Sequence, residues 1–267
     1  VDGRRVFYRT LPAGPAAGGC PPLLLIHGIS CCTETWAPFV DALAERSDAP
    51  GVIVPDLPAH GRSARPDRIL GMGDFAGWTE RLLRRLEVGR VDVMGHSMGC
   101  QVALALARAR PERVRRAVLL GPTTGGRHVS TLRNFFGLMA DSTREPLSYN
   151  LLLLRVFLRM GARRYLLTVR EMQRDDAFLH AREIMATTLV LQGDRDLIVP
   201  RHVGQDLARV LRRSAYARVA GAAHAAQFTH PKKAADATLA FLAASAGRRP
   251  LAPPERARRR ASSAGSC

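Results

Sequence analysis

Val91-Asp92-Val93-Met94-Gly95-His96-Ser97-Met98-Gly99 is the stretch that decides how this chain folds. Val91 to Met94 is short and apolar enough for a strand buried on both faces. It runs into glycine–x–serine–x–glycine, and an Ala- and Leu-rich helical segment, Val102 to Arg110, follows. A strand that passes into a helix through one serine must turn sharply. Such a turn strains the serine backbone and lifts its hydroxyl above the sheet. Side chains on the two flanking residues would strike the neighbouring strand and helix, so glycine is expected at both. A helix starting here also directs free N–H groups toward developing negative charge.

Working outward, similar apolar runs occur at Leu23–Ile26, Val52–Val54, Ala117–Leu120, Leu189–Leu191 and Tyr216–Val219. Helical periodicity lies between them, over Trp36–Arg46 and Phe75–Leu86, and again over Pro231–Ala246, which has proline at its first position. This alternation predicts an α/β fold, with a mostly parallel central sheet and helices on both faces. It stops after Gly121-Pro122. Only helical patterns follow until Thr187, and Ser142-Thr143-Arg144-Glu145 has the form of a capping box that would open one of those helices. The expected organisation is a first part of the core over 1–122, an all-helical cap over 123–186, the second part of the core over 187–247 and a disordered basic tail over 248–267. The cap carries three apolar clusters, Phe135-Phe136 with Leu138-Met139, Leu151 to Phe157, and Tyr165 to Leu167.

Further segments match in order. Leu25-Ile26-His27-Gly28-Ile29 ends the first strand pattern, and Trp36 opens the next helix. Asp56-Leu57-Pro58-Ala59-His60-Gly61-Arg62-Ser63 resembles D-x-x-G-x-G-x-S with alanine for the first glycine. Gly193-Asp194-Arg195-Asp196 with Pro200 resembles G-x-x-D-x-x-x-P, and Gly221-Ala222-Ala223-His224 resembles G-x-G-H with alanine for the second glycine. With the G-x-S-x-G segment, these resemble the α/β-hydrolase family over nearly all of the chain to about Ala246. The resemblance implies a serine hydrolase in which Ser97, Asp196 and His224 form the catalytic triad. It also implies an oxyanion hole made by the backbone N–H groups of Ile29 and Met98.

The chemistry supports those roles. A serine hydroxyl needs a base, histidine titrates near neutrality, and a carboxylate must orient the imidazole. All three would lie beyond the carboxyl ends of strands, where open α/β sheets bind ligands. Asp194 competes with Asp196 for the acid and His230 with His224 for the base. His27, His60 and His96 are assigned to loop packing, and Cys100 to a small buried position. The expected reaction is cleavage of a carboxylic ester or related acyl bond in a small, largely apolar substrate. The same triad also serves thioesterases, acyltransferases, C–C hydrolases, perhydrolases and lyases.

Composition bounds the rest. The chain has 267 residues and a formal net charge of +17, nearly all of it from arginine. Charge scattered this way is assigned to solvated surface rather than a specific nucleic-acid site, although loose attraction to anionic surfaces follows from charge alone. Five cysteines without regular spacing suggest reduced thiols in a cytoplasmic protein, and no CxxC pair points to a metal. No secretory signal or membrane span is visible. No cofactor is expected, and the oligomeric state is open.

Overall fold

The computed structural model describes residues 1–126 and 142–244. The tail and the Phe135-Phe136 and Leu138-Met139 cluster lie outside them. Seven strands form one sheet: β1 (Tyr8–Leu11), β2 (Leu23–Ile26), β3 (Val52–Pro55), β4 (Val91–His96), β5 (Val114–Leu120), β6 (Thr187–Gly193) and β7 (Ser214–Val219), in the order β1-β3-β2-β4-β5-β6-β7. Every neighbouring pair is parallel except β1 with β3. The chain moves outward from β2 to β3, then returns to place β4 on the other side of β2. The crevice at the carboxyl ends of β2 and β4 is therefore the point where the winding direction reverses, the usual ligand position in such a sheet.

The strands β2 to β6 are buried on both faces, and alternate residues serve opposite layers. On one face Leu24, Ile26, Val91, Val93, Ala117, Leu119 and Val190 pack with α2 (Met72–Arg85), α3 (Met98–Ala109) and α6 (Ala177–Glu183). On the other, Leu23, Leu25, Met94, Val118, Leu120 and Leu191 pack with α1 (Ala37–Ala44) and α9 (Pro231–Ala244). The remaining helices are α4 (Leu147–Met160), α5 (Ala162–Arg174), α7 (Arg201–Val210) and α8 (Ala226–Thr229). Among the described residues no helix is long and apolar enough to cross a membrane.

Helices α4, α5 and α6 lie between β5 and β6, where the sequence predicted a helical block. Of these, α6 behaves as the crossover helix of the core: Ala177, Phe178 and Ala181 are buried against α3. Buried Gln101 of α3 holds the junction. Its amide donates to the Met172 carbonyl and to Asp175 Oδ2, both at 2.9 Å, while Asp175 Oδ1 lies 2.9 Å from His180 Nε2. The expected helix start at Ser142 is not found. The helix begins at Leu147 after Pro146, and proline disfavours helical geometry in the residue before it, so Glu145 cannot sit inside a first turn. β1 was not anticipated. It is an exposed edge strand and lacks an apolar run.

Candidate active site

Ser97 links β4 to α3 at φ 54° and ψ −120°, outside the regions that L-residues favour. Its carbonyl accepts the Cys100 N–H at 2.9 Å and its own N–H donates to the Leu120 carbonyl at 3.0 Å. The flanking glycines are sterically required: a Cβ on Gly95 would stand 2.3 Å from the Gly99 carbonyl oxygen, and one on Gly99 would stand 2.1 Å from that of Ile26. Met98 is the first residue of α3, so its N–H is one of those a helix start leaves without an intrahelical acceptor. The loop after β2 comes equally close. A Cβ on Gly28 would lie 3.1 Å from Ser97 Cβ, and Ile29 lines the same cavity as Ser97.

His224 follows β7 and Asp196 follows β6. His224 Nδ1 lies 2.9 Å from Asp196 Oδ2, and both side chains are nearly or fully excluded from solvent. Asp196 Oδ1 accepts the N–H groups of Ile198 and Val199, each at 2.9 Å, so the carboxylate is fixed on both sides. Gly121, at the end of β5 with φ 54°, leaves the space for this pair; a Cβ there would be 3.0 Å from the His224 ring. The structure therefore brings Ser97, His224 and Asp196 to one end of the sheet. Asp194 is exposed and accepts the Gly221 N–H at 2.8 Å, and His230 contacts Thr229 Oγ1 at 3.0 Å.

The other histidines hold loops. Buried His27 accepts the Leu57 N–H at Nε2 (3.0 Å), and its Nδ1 donates to the Gly28 carbonyl at 2.8 Å. His60 Nδ1 donates to the Pro58 carbonyl at 3.0 Å. His96 Nε2 lies 3.2 Å from the His224 carbonyl, and burial holds the ring neutral, so Nε2 is the donor. Ala59 has φ 66°, which explains why glycine is usual there, whereas Ala223 is not in a left-handed conformation. Cys100 donates to the Gly95 carbonyl at 3.1 Å, and burial pushes its thiol well above the usual range, so it does not supply a thiolate. Cys32, Glu34 and Asp56 are close enough to share a cation. However, the Cys32 thiol donates to Glu34 at 2.8 Å, and the two Asp56 oxygens already accept the Thr33 and Arg62 N–H groups.

Burial lowers His27 to about 4 and His60 to about 3, from an ordinary 6.5. The unfolded chain therefore takes up protons at these rings before the folded chain does. Their contribution to stability is complete above pH 6.5 and is lost as pH falls toward 4 and then 3, amounting to about 2 kcal/mol per ring at pH 5. Urea unfolding at pH 7 and pH 5 should show this loss. In His60→Asn, whose amide can still reach Pro58, the loss should be smaller by about 2 kcal/mol.

Ser97 and His224 open into a cavity of about 450 Å³, whose other walls include Cys31, Tyr149, Leu153, Phe157, Leu166 and Val169. Among the described residues that line it there is no lysine or arginine, and one carboxylate, Glu145. Glu145 is buried and accepts the N–H of Ala225, the residue after His224, at 2.8 Å. The sequence offered Glu145 only as a helix cap, and its place beside His224 depends on tertiary contacts.

A sequence profile described as the Alpha/beta hydrolase family matches residues 23–237. The chain belongs to that family. The matches to the first curated relatives span only about a third of those proteins: an uncharacterized protein of Mycobacterium tuberculosis is 38% identical over 120 residues, 45% of this chain and 33% of that one. A longer match, 30% identical over 271 residues, covers 89% of this alpha/beta hydrolase and 91% of a 2-hydroxy-6-oxononadienedioate/2-hydroxy-6-oxononatrienedioate hydrolase from Paraburkholderia phymatum. Among solved structures, the enol-lactonase from Burkholderia xenovorans LB400 superposes with a TM-score of 0.76 at 24% identity, covering 91% of this chain and 98% of that one. An esterase from Thermogutta terrifontis gives 0.75 at 21% identity over 90% and 94%. At these identities the two structures share the fold.

Proposed function

We propose that this alpha/beta hydrolase is a serine hydrolase that cleaves a carboxylic ester, or a related acyl bond, in a small and largely apolar substrate. The observation that carries this reading is the meeting of Ser97 and His224 in one apolar cavity, with Asp196 on the far nitrogen of the imidazole. His224 takes the Ser97 proton through Nε2 as the hydroxyl attacks the carbonyl carbon. The N–H groups of Ile29 and Met98 receive the oxyanion, and Asp196 steadies the imidazolium. The proton then passes to the leaving alcohol, and water, activated by His224, releases the acid. Helices α4 and α5 act as the cap that closes the cavity, and the five cysteines fit a cytoplasmic setting.

Hydrolysis of a C–C bond is the second reading, favoured by the long match to the oxononadienedioate hydrolase. A dioate brings two carboxylates, and an anion in an apolar cavity needs a cationic partner. The described lining offers none, and it adds the Glu145 carboxylate. A neutral medium-chain acyl ester is therefore expected to exceed a matched substrate bearing a terminal carboxylate by about 100-fold or more in kcat/KM. Faster turnover of the anionic substrate would favour the C–C reading. Covalent labelling by a fluorophosphonate probe, present in the wild type and lost in Ser97→Ala, tests the nucleophile itself.

A further inference from the structure

The helix that walls the cavity also has an uncovered apolar face. Leu147, Leu151, Leu154 and Leu158 of α4 are between 51% and 72% exposed, and Leu166 of α5 is 64% exposed. At 100° per residue the four α4 leucines fall within an arc of about 60°, so they form one stripe. The arc of the same helix that runs from Tyr149 through Leu153 and Phe157 up to the edge of the stripe faces the cavity. Leu154 and Leu166 belong to both surfaces, since they line the cavity and are exposed. The stripe is therefore continuous with the mouth of the proposed active site.

Charge borders this stripe. From Leu147 to Arg170 the sequence holds Arg155, Arg159, Arg163, Arg164 and Arg170 and no acidic residue. Arg155, Arg159, Arg163 and Arg170 are exposed, and among the described residues none of the four has an ion-pair partner. Arg155 and Arg159 flank the stripe on one side, and Arg163 and Arg170 lie on the face of α5 that carries Leu166. Leucines bordered by unpaired arginines have the composition of a helix that lies in a lipid interface, its apolar side among acyl chains and its guanidinium groups at anionic headgroups. Pairing with a second copy through this face would bring like charges together.

We propose that the α4–α5 face docks on an anionic lipid surface, with Leu147, Leu151, Leu154, Leu158 and Leu166 entering the headgroup boundary and the cavity mouth opening toward the lipid. Apolar substrates dissolved in the bilayer could then reach the cavity without crossing water. The docking itself does not depend on the proposed esterase chemistry.

The test is flotation of full-length Ser97→Ala protein with vesicles of phosphatidylglycerol and phosphatidylcholine in equal parts, and with phosphatidylcholine alone, at 0.15 M salt. Binding is expected to the anionic vesicles. It should weaken at least about tenfold when Leu147→Asp, Leu151→Asp and Leu158→Asp are combined, and also in Arg155→Glu/Arg159→Glu. The three leucines do not line the cavity, so an unchanged melting temperature is sufficient evidence that the variant is folded. Undiminished binding of the folded leucine variant would overturn the proposal, because adsorption would then come from charge elsewhere, including Arg256 to Arg260. Failure of the wild-type face to bind either vesicle would also overturn it, as would a concentration-dependent dimer abolished by the leucine changes. Loss of the esterase reading, by contrast, would leave the flotation result untouched.

Discussion

Replacing Ser97 with alanine is expected to lower kcat on an acyl ester by at least about 10⁴-fold while leaving a folded protein. The side chain is small and already borders the cavity, so the change removes little packing. The effect falls on bond formation, and the buried cysteines near Ser97 are poor substitutes for it. Burial raises the Cys31 thiol to about 11, and it also pushes the Cys100 thiol well above the usual range. A paired variant separates chemistry from strain. Ser97 occupies φ 54° and ψ −120°, where glycine is far more comfortable, and such a conformation costs about 1–3 kcal/mol. Ser97→Gly should therefore be as inactive as the alanine variant but melt higher than wild type. Wild-type turnover in Ser97→Ala would end the serine mechanism.

The second large effect is expected at Asp196. One oxygen accepts two backbone N–H groups and the other faces His224 Nδ1. Asparagine cannot fill both roles. If its carbonyl keeps Ile198 and Val199, its NH₂ points at Nδ1 and forces the proton onto Nε2. The imidazole then has no lone pair to offer Ser97. Asp196→Asn should lose about 10³- to 10⁴-fold in kcat near neutral pH with little change in melting temperature. Asp194→Asn, at an exposed residue tied to Gly221, should stay within about threefold of wild type. If the two variants exchange their effects, the acid is Asp194.

How much of this was legible in the sequence depended on how local the cause was. The buried strands were readable because Leu23–Ile26 or Ala117–Leu120 can be apolar on both faces only beneath two helical layers. The turn at Ser97 was readable because Gly95 and Gly99 meet backbone that is itself part of the turn or of the adjoining strand. β1 was not, since Tyr8-Arg9-Thr10-Leu11 is an exposed edge whose pairing to β3 leaves no pattern in its side chains. Ser142 to Glu145 misled because a capping box is defined over four residues and Pro146 is the fifth. The cavity wall was illegible for a further reason. Which faces of α4 and α5 turn inward depends on how they pack over the sheet, and the leucines of α4 do not mark one face alone.

The clasp formed by Gln101, Asp175 and His180 bears on how this protein can be recombined with its relatives. In the sequence the interchangeable module runs to Ala186. But α6 lies under α3 as part of the sheet's own scaffold, and Asp175 is where the excursion is riveted to it. A graft cut after Ala186 would replace a structural beam along with the helices that wall the cavity. A cut at Asp175 keeps the beam and exchanges only what lies over the cavity. Inheritance by recombination is subject to the same geometry, so the cavity wall on the near side of Asp175 can be exchanged while the far side stays bound to the core.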